Sequence, residues 1–380
     1  MNQNILESFN PKDYIKLKNY KDYLIVNECI NILFSKKEEK YNFDIDTQLF
    51  IDPNIKENVK EYLNQQFTNE YQTQPLYLLE LKNAFIHKRT TLTPRHLLLT
   101  AGNKYISSTL SSKSLNYYEE NGLLSIIDNQ RIKLNNEIET DLIIEKNCLF
   151  LYSFSNLYHV LMEVIPNLIF NQHIDFSDFV FLLYGDEKNM LEKILRMLGF
   201  KNKFIKLDNL NVKVKHLFFP SFQTFGHITE PREEILYFPK QLVNKFKKQN
   251  KAYEYIYISR NDASQRITIN EKEVIKILEK FNFKIIKPGE FSIEEQISIF
   301  SNAKYIIAPH GMGITNILFC KAKFTLVEIF VDGWTRNCYY RMVQLLKGNY
   351  RGIIMPSANE KNDLIIDLKI LENILREDFR

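Results

Sequence analysis

The hydrophobic rhythm of the chain changes three times. Over the first 70 residues apolar and polar positions mix without a steady period, and helices are expected at 17–35 and 55–67. From Leu76 short β-type runs take over: LYLLEL, HLLLTAG, LLSIID and NCLFLYS, parted by Asn, Gly and Ser turns. After Leu151 helices and strands alternate. LYHVLMEVIPNLIF has a helical period, DFVFLLYG reads as a strand, EKNMLEKILRMLGF as a helix closed by Gly199, and HLFFP as a strand.

A lysine-rich stretch, QLVNKFKKQNKAYE, then interrupts the pattern. It reads as a solvated helix face or linker rather than a phosphate-binding patch, and so as a domain boundary. Beyond it the strands YEYIYIS, FKIIK, KYIIA, FTLVEIF and YRGIIM alternate with helices, two of which open on the capping-box pairs Asn270/Glu273 and Ser292/Glu295. Strands separated by single helices predict a parallel, Rossmann-like sheet. LIIDLKILENILREDF closes the chain as an amphipathic helix. The resulting plan has an unassigned segment at 1–75, an α/β domain at 76–245, a Rossmann-like domain at 246–358, and a tail at 359–380 expected to pack back on the N-terminal domain.

Composition changes this picture little. The 380 residues exceed what one core usually serves, so two domains of roughly 150 to 200 residues are expected. A hydrophobic share of 45% and a charged share of 25% are ordinary for a soluble protein, and a net charge of +4 does not suggest a nucleic-acid binder. The four cysteines lie far apart and form neither a zinc pattern nor a disulfide framework, which points to a reducing compartment. The N-terminus lacks the apolar core of a signal peptide, and no run reaches the roughly 18 to 20 residues of a span. A cytoplasmic protein is expected, with membrane contact no more than peripheral, at the inner face.

Candidate chemistry sits in three places. IIAPHGMGITN joins a buried strand to a helix and holds two of only 11 glycines. Gly311 and Gly313 would let an anion approach the backbone, with the unpaired N–H groups and positive end of the following helix behind it. A tight turn needing glycine for backbone reasons alone fits the pattern equally well. His310 would stand at the sheet's edge, as a ligand or bonded within its turn. Upstream, YISRNDASQR puts Ser259, Arg260 and Arg266 on the same rim, where a guanidinium fork suits a diphosphate. An Arg260–Asp262 surface pair is the alternative. In YHVLMEVIP, His159 and Glu163 are four apart on one helical face, either a helix-surface contact or a general base oriented by a carboxylate.

The stretch from YISRNDASQR through NEKE to APHGMGITN, with YHVLMEVIPNL upstream, resembles the glycosyltransferases of family 61 over roughly residues 150–330. Their pattern is S-R-x-x-A-x-x-R, N-E-x-E and G-P-H-G-A-G-x-T-N, preceded by H-W-x-x-[DE]-x-x-P-R. Ala308, Met312, Val160 and Asn167 depart from it. The resemblance implies a GT-B fold, two Rossmann-like domains facing across a cleft, and an inverting transferase using a nucleotide sugar, with a UDP-sugar expected. The acceptor would be a glycan or lipid-linked saccharide. Bacterial members commonly serve capsule or lipopolysaccharide synthesis. It further implies that Ser259, Arg260, Arg266 and the 310–316 turn, including Met312 and Asn316, hold the donor, with Gly311, Gly313 and the amides of Ile314 and Thr315 cradling its phosphates. Glu328 would meet the ribose, and His159 or Glu163 would be the base. No cofactor or metal is expected, since no Asp-x-Asp metal motif falls in the matched region and DID at 44–46 lies outside it. A retaining or sugar-phosphate transferase, an inactive nucleotide-sugar binder and an NAD-dependent enzyme are the rival readings.

Overall fold

The computed structural model describes residues 5–15, 24–87, 98–107, 112–136, 139–152, 156–186, 188–207, 210–221, 230–246, 252–320 and 323–379. The alternation read from the sequence is realised as α/β structure on separate sheets. The chain divides into two units, Met1–Glu39 with Thr73–Gln223, and Lys40–Gln72 with Thr224–Arg380.

The first unit is built on a mixed sheet. Four parallel strands lie in the order Lys203–Lys206, Val180–Tyr184, Leu142–Tyr152, Val212–Pro220. Val180–Tyr184 is buried at every position, as a parallel strand covered on both faces should be. Beside Val212–Pro220 the strand Leu76–Ile86 runs antiparallel, and Ile30–Lys36 and Leu99–Ala101 extend the sheet from it. Among the parallel strands the chain passes from Leu142–Tyr152 outward in one direction and later returns on its other side. The switch point is therefore the carboxyl end of Leu142–Tyr152, where α/β sheets bind ligands.

The second unit carries a six-stranded, wholly parallel sheet in the order Lys284–Ile286, Tyr255–Ile258, Tyr305–Pro309, Thr325–Val331, Asn349–Met355, Thr47–Ile51. Counted from Tyr255–Ile258, the first five follow the doubly wound order 2-1-3-4-5. One face packs Tyr257, Ile307, Val327 and Ile353 against the helices Glu271–Glu279 and Leu368–Asp378. Because side chains alternate along a strand, Leu326, Glu328 and Phe330 face the opposite layer. There the helices Tyr237–Phe246 and Ile293–Phe300 meet the 3-10 helix Met312–Phe319.

Several expectations need correction. Residues 1–75 are not a segment of their own, because Lys40–Gln72 joins the second unit. Thr47–Ile51 hydrogen-bonds as its sixth strand, and buried Arg341 donates to Thr68 O at 2.6 Å and Thr68 Oγ1 at 3.1 Å. The division falls at Gln223/Thr224 rather than near 245, since helix Tyr237–Phe246 packs on the second unit's helices. The tail packs there too: Leu371, Ile374 and Leu375 enter its core. Of the helix expected at 17–35, residues 17–23 lie outside the described residues and Ile30–Lys36 is a strand. The helix expected at 55–67 forms as Glu57–Gln66. The Ser292/Glu295 capping box is present, whereas Asn270 makes no side-chain cap and donates instead to Ile366 O at 2.9 Å.

Candidate functional site

In the second unit the switch point lies between Tyr255–Ile258 and Tyr305–Pro309. Ser259 and Arg260 follow the first of these strands directly, and His310 and Gly311 follow the second. The topology thus brings together residues fifty apart in sequence. Ser259 is buried and its hydroxyl accepts from Asn261 N at 3.3 Å, shaping the turn that launches Arg260. Arg260 donates through Nη2 to Gln265 O at 3.3 Å, while its buried Nε has no hydrogen-bond partner among the described residues. A Cβ built on Gly311 would overlap the Arg260 guanidinium, so the first glycine leaves room for this arginine. A Cβ on Gly313 would stand 2.9 Å from Ile258 Cγ2 and 3.2 Å from Pro288 Cγ, so the second permits close packing beneath the turn.

The 3-10 helix begins at Met312, and Ile314 N already donates to Gly311 O at 3.0 Å. Its amide serves the turn, which shifts the candidate phosphate donors to Met312 and Gly313, ahead of the ladder. Thr315 and Asn316 are wholly buried. Asn316 Nδ2 donates to Gly313 O at 3.0 Å and to Gln296 Oε1 at 3.0 Å, which braces the turn from below. Thr315 Oγ1 lies 3.5 Å from the Tyr339 hydroxyl. Met312, by contrast, is 46% exposed.

Charge accumulates on this rim. Burial, then the neighbouring Arg260, lowers the Arg266 guanidinium to about 10, with Arg336 adding to the repulsion. Burial also lowers Arg260. Arg266 holds a left-handed backbone, φ 57, and its guanidinium lies 5.1 Å from the centre of the Trp334 ring. Arg336 lies 4.8 Å from the same ring. Arg336 and Trp334 were not singled out in the sequence. A rim-side arginine beside the only tryptophan, just beyond FTLVEIF, was the available signal.

Glu328 differs from its expected role. It is wholly buried, with Oε1 2.6 Å from His310 Nδ1 and Oε2 accepting from the Tyr350 hydroxyl at 2.8 Å. Both oxygens are engaged inside the protein, so the carboxylate orients His310 and does not reach for a ribose.

In the first unit, His159 and Glu163 stand at that unit's switch point, just beyond Leu142–Tyr152. Both are buried, with Nδ1 2.8 Å from Oε2. The segment expected as one α-helix is three pieces: an α-turn Leu157–His159, a π-helical turn Val160–Val164 and a 3-10 helix Ile165–Gln172. Asn156 caps the first by accepting from His159 N at 3.1 Å. Pro166 explains the change of register, since it has no N–H to continue the α-ladder and its ring crowds the preceding turn. Ile165 N reaches back to Val160 O, and the Asn167 side chain donates to Glu163 O at 3.1 Å. Such π-turns recur at functional sites.

Residues 157–327 match the family model Glycosyltransferase 61. The match opens beside His159 and runs through both arginines and the glycine turn. Two curated relatives are similar at 25% identity over 186 residues, 47% of this chain and 32% of each relative. They are Protein O-linked-mannose beta-1,4-N-acetylglucosaminyltransferase 2 of Xenopus tropicalis and of Xenopus laevis. The chain thus matches about a third of the length of these relatives. The family match and both names support a glycosyltransferase. Among the described residues, no three His, Cys, Asp or Glu side chains are grouped to hold a metal ion, and no helix is long and apolar enough to cross a membrane. Asp46, from the DID sequence, pairs with Arg351 at 2.6 Å.

Proposed function

We propose that the chain is an inverting GT-B glycosyltransferase that moves a sugar from a nucleotide sugar, a UDP-sugar first among the candidates, to a hydroxyl of a glycan or lipid-linked saccharide in surface-polysaccharide synthesis. The observation that carries this reading is the arginine rim. Arg260, Arg266 and Arg336 crowd the switch point of a doubly wound sheet, next to a glycine turn, and burial together with the charges of Arg260 and Arg336 lowers the Arg266 guanidinium. Mutually repelling guanidiniums favour a multiply charged anion between them, and a diphosphate offers paired oxygens to planar forks. As the glycosidic bond breaks, negative charge grows on that diphosphate, and fixed cations there stabilise the transition state without a metal.

The acceptor's base belongs to the first unit in this account. Inversion needs the acceptor hydroxyl deprotonated as it attacks, and His159, whose Nδ1 lies 2.8 Å from Glu163 Oε2, has the chemistry for it. Glu163 is the alternative base. A thermal-shift panel of UDP-, GDP- and CMP-sugars against NAD tests the reading, since ligands of the folded state raise its melting point by mass action. One nucleotide-sugar class should stand out. A shift with NAD alone, or with none of them, would count against the proposal.

A further inference from the structure

The buried trio His310, Glu328 and Tyr350 does more than fill space. The sheet register sets Gly352 directly beside Glu328, and a Cβ on Gly352 would come within 3.2 Å of Tyr350 Cε1. The missing side chain leaves room for Leu49, whose Cδ2 would lie 2.7 Å from that Cβ, and for the tyrosine ring, whose hydroxyl reaches Glu328 Oε2. The His310 ring is held flat on Phe330, centroids 5.2 Å apart, and flanked by Tyr339 at 5.3 Å. With Nδ1 directed at the buried carboxylate, Nε2 on the other side of the ring leads away from it.

Proton counting then fixes what Nε2 presents. One proton lies between Nδ1 and Oε1, whichever atom is written as its owner. If Nε2 is bare, the pair carries a net charge of −1. If Nε2 bears a hydrogen the pair is neutral overall, whether drawn as imidazolium and carboxylate or as imidazole and carboxylic acid. Burial disfavours the net charge. It also pushes the Glu328 carboxyl well above its ordinary 4.5, against the opposing hydrogen bond from Tyr350. Among the described residues, Tyr339 and Cys338 near the pair are kept neutral by burial, and the Arg260 cation beside Gly311 acts against the hydrogen, so the ligand-free protein is the sterner test.

We propose that Glu328 and Tyr350 are positioning residues that keep a hydrogen on His310 Nε2. Its use, donation to the anionic leaving group, rests on the nucleotide-sugar reading above.

Nitrogen-15 NMR of the full chain, labelled at histidine and with His310 assigned through His310→Gln, tests this without any ligand. Nε2 of the wild type should keep its hydrogen to at least about one pH unit above the ordinary histidine value of about 6.5. Glu328→Gln should keep it too at pH 7, because the Tyr350 hydroxyl holds the amide oxygen and turns the NH2 toward Nδ1. Adding Tyr350→Phe frees that amide to flip, and Nε2 should then lose its hydrogen. UDP affinity, read by calorimetry, should fall about tenfold or more from Glu328→Gln to the double variant. A merely structural role would lower melting points without moving the Nε2 proton. Loss of the Nε2 hydrogen at or below the ordinary value in the wild type overturns the inference. So does a double variant that matches Glu328→Gln. A protonated Nε2 in a protein that does not bind UDP supports the positioning role and sinks the nucleotide-sugar reading instead.

Discussion

Because the Arg260 guanidinium lies where a Gly311 side chain would be, Gly311→Ala acts on the arginine before it acts on any ligand. Arg260→Ala should weaken UDP binding by about 1.5–3 kcal/mol, the range for a charge-assisted bond. Gly311→Ala should weaken it comparably, and the double variant should be no worse than Arg260→Ala alone. Additive losses in calorimetry would show that the glycine serves the ligand directly. Gly313→Val is a different case, since its methyls would press on Ile258 and Pro288 and lower the melting point with or without nucleotide. At the other candidate pair, His159→Ala should lower kcat by roughly 10²- to 10⁴-fold with donor affinity intact. Glu163→Gln should cost less, because an amide still orients the ring. The reverse ranking assigns the base to Glu163.

Among the elements, those with strong local signals were legible in the sequence. The five strands of the 246–358 region, the Ser292 capping box and Gly199 as a left-handed helix stop, φ 99, follow from periodicity and capping chemistry alone. Pairings between distant segments were not. Thr47–Ile51 looks unremarkable as five residues, and becomes a strand only because Asn349–Met355 offers an open edge. The π-turn at Val160–Val164 was hidden for another reason: a helical apolar period looks the same in α, π and 3-10 turns, and only Pro166 hinted at a break. The anchoring of Lys40–Gln72 can be tested at Arg341, which is buried, donates to Thr68 and to Gln344 Oε1 at 2.9 Å, and lies over Tyr71 at 4.7 Å. Arg341→Ala leaves those acceptors unsatisfied and should cost about 2–4 kcal/mol. Hydrogen exchange should rise first in Thr47–Ile51. Unchanged protection there would mean that the strand holds without the arginine.

For the molecule as a whole, both units place their candidate residues by the same rule, at the carboxyl end of a parallel strand where the order of strands reverses. The rim positions of Arg260 and His310 were readable from strand–turn boundaries. The inward role of Glu328 was not, because the residue that closes the trio, Tyr350, lies on the next strand and enters only through sheet register. The central claim is that the rim of the second unit holds the diphosphate of a nucleotide sugar without a metal. Calorimetric titration of UDP into the wild type and Arg266→Ala, each with EDTA and then with manganese, tests it most directly. The account predicts wild-type binding that survives EDTA and falls about tenfold or more in Arg266→Ala. Binding that appears only with manganese, or that is unaffected by loss of Arg266, would contradict it.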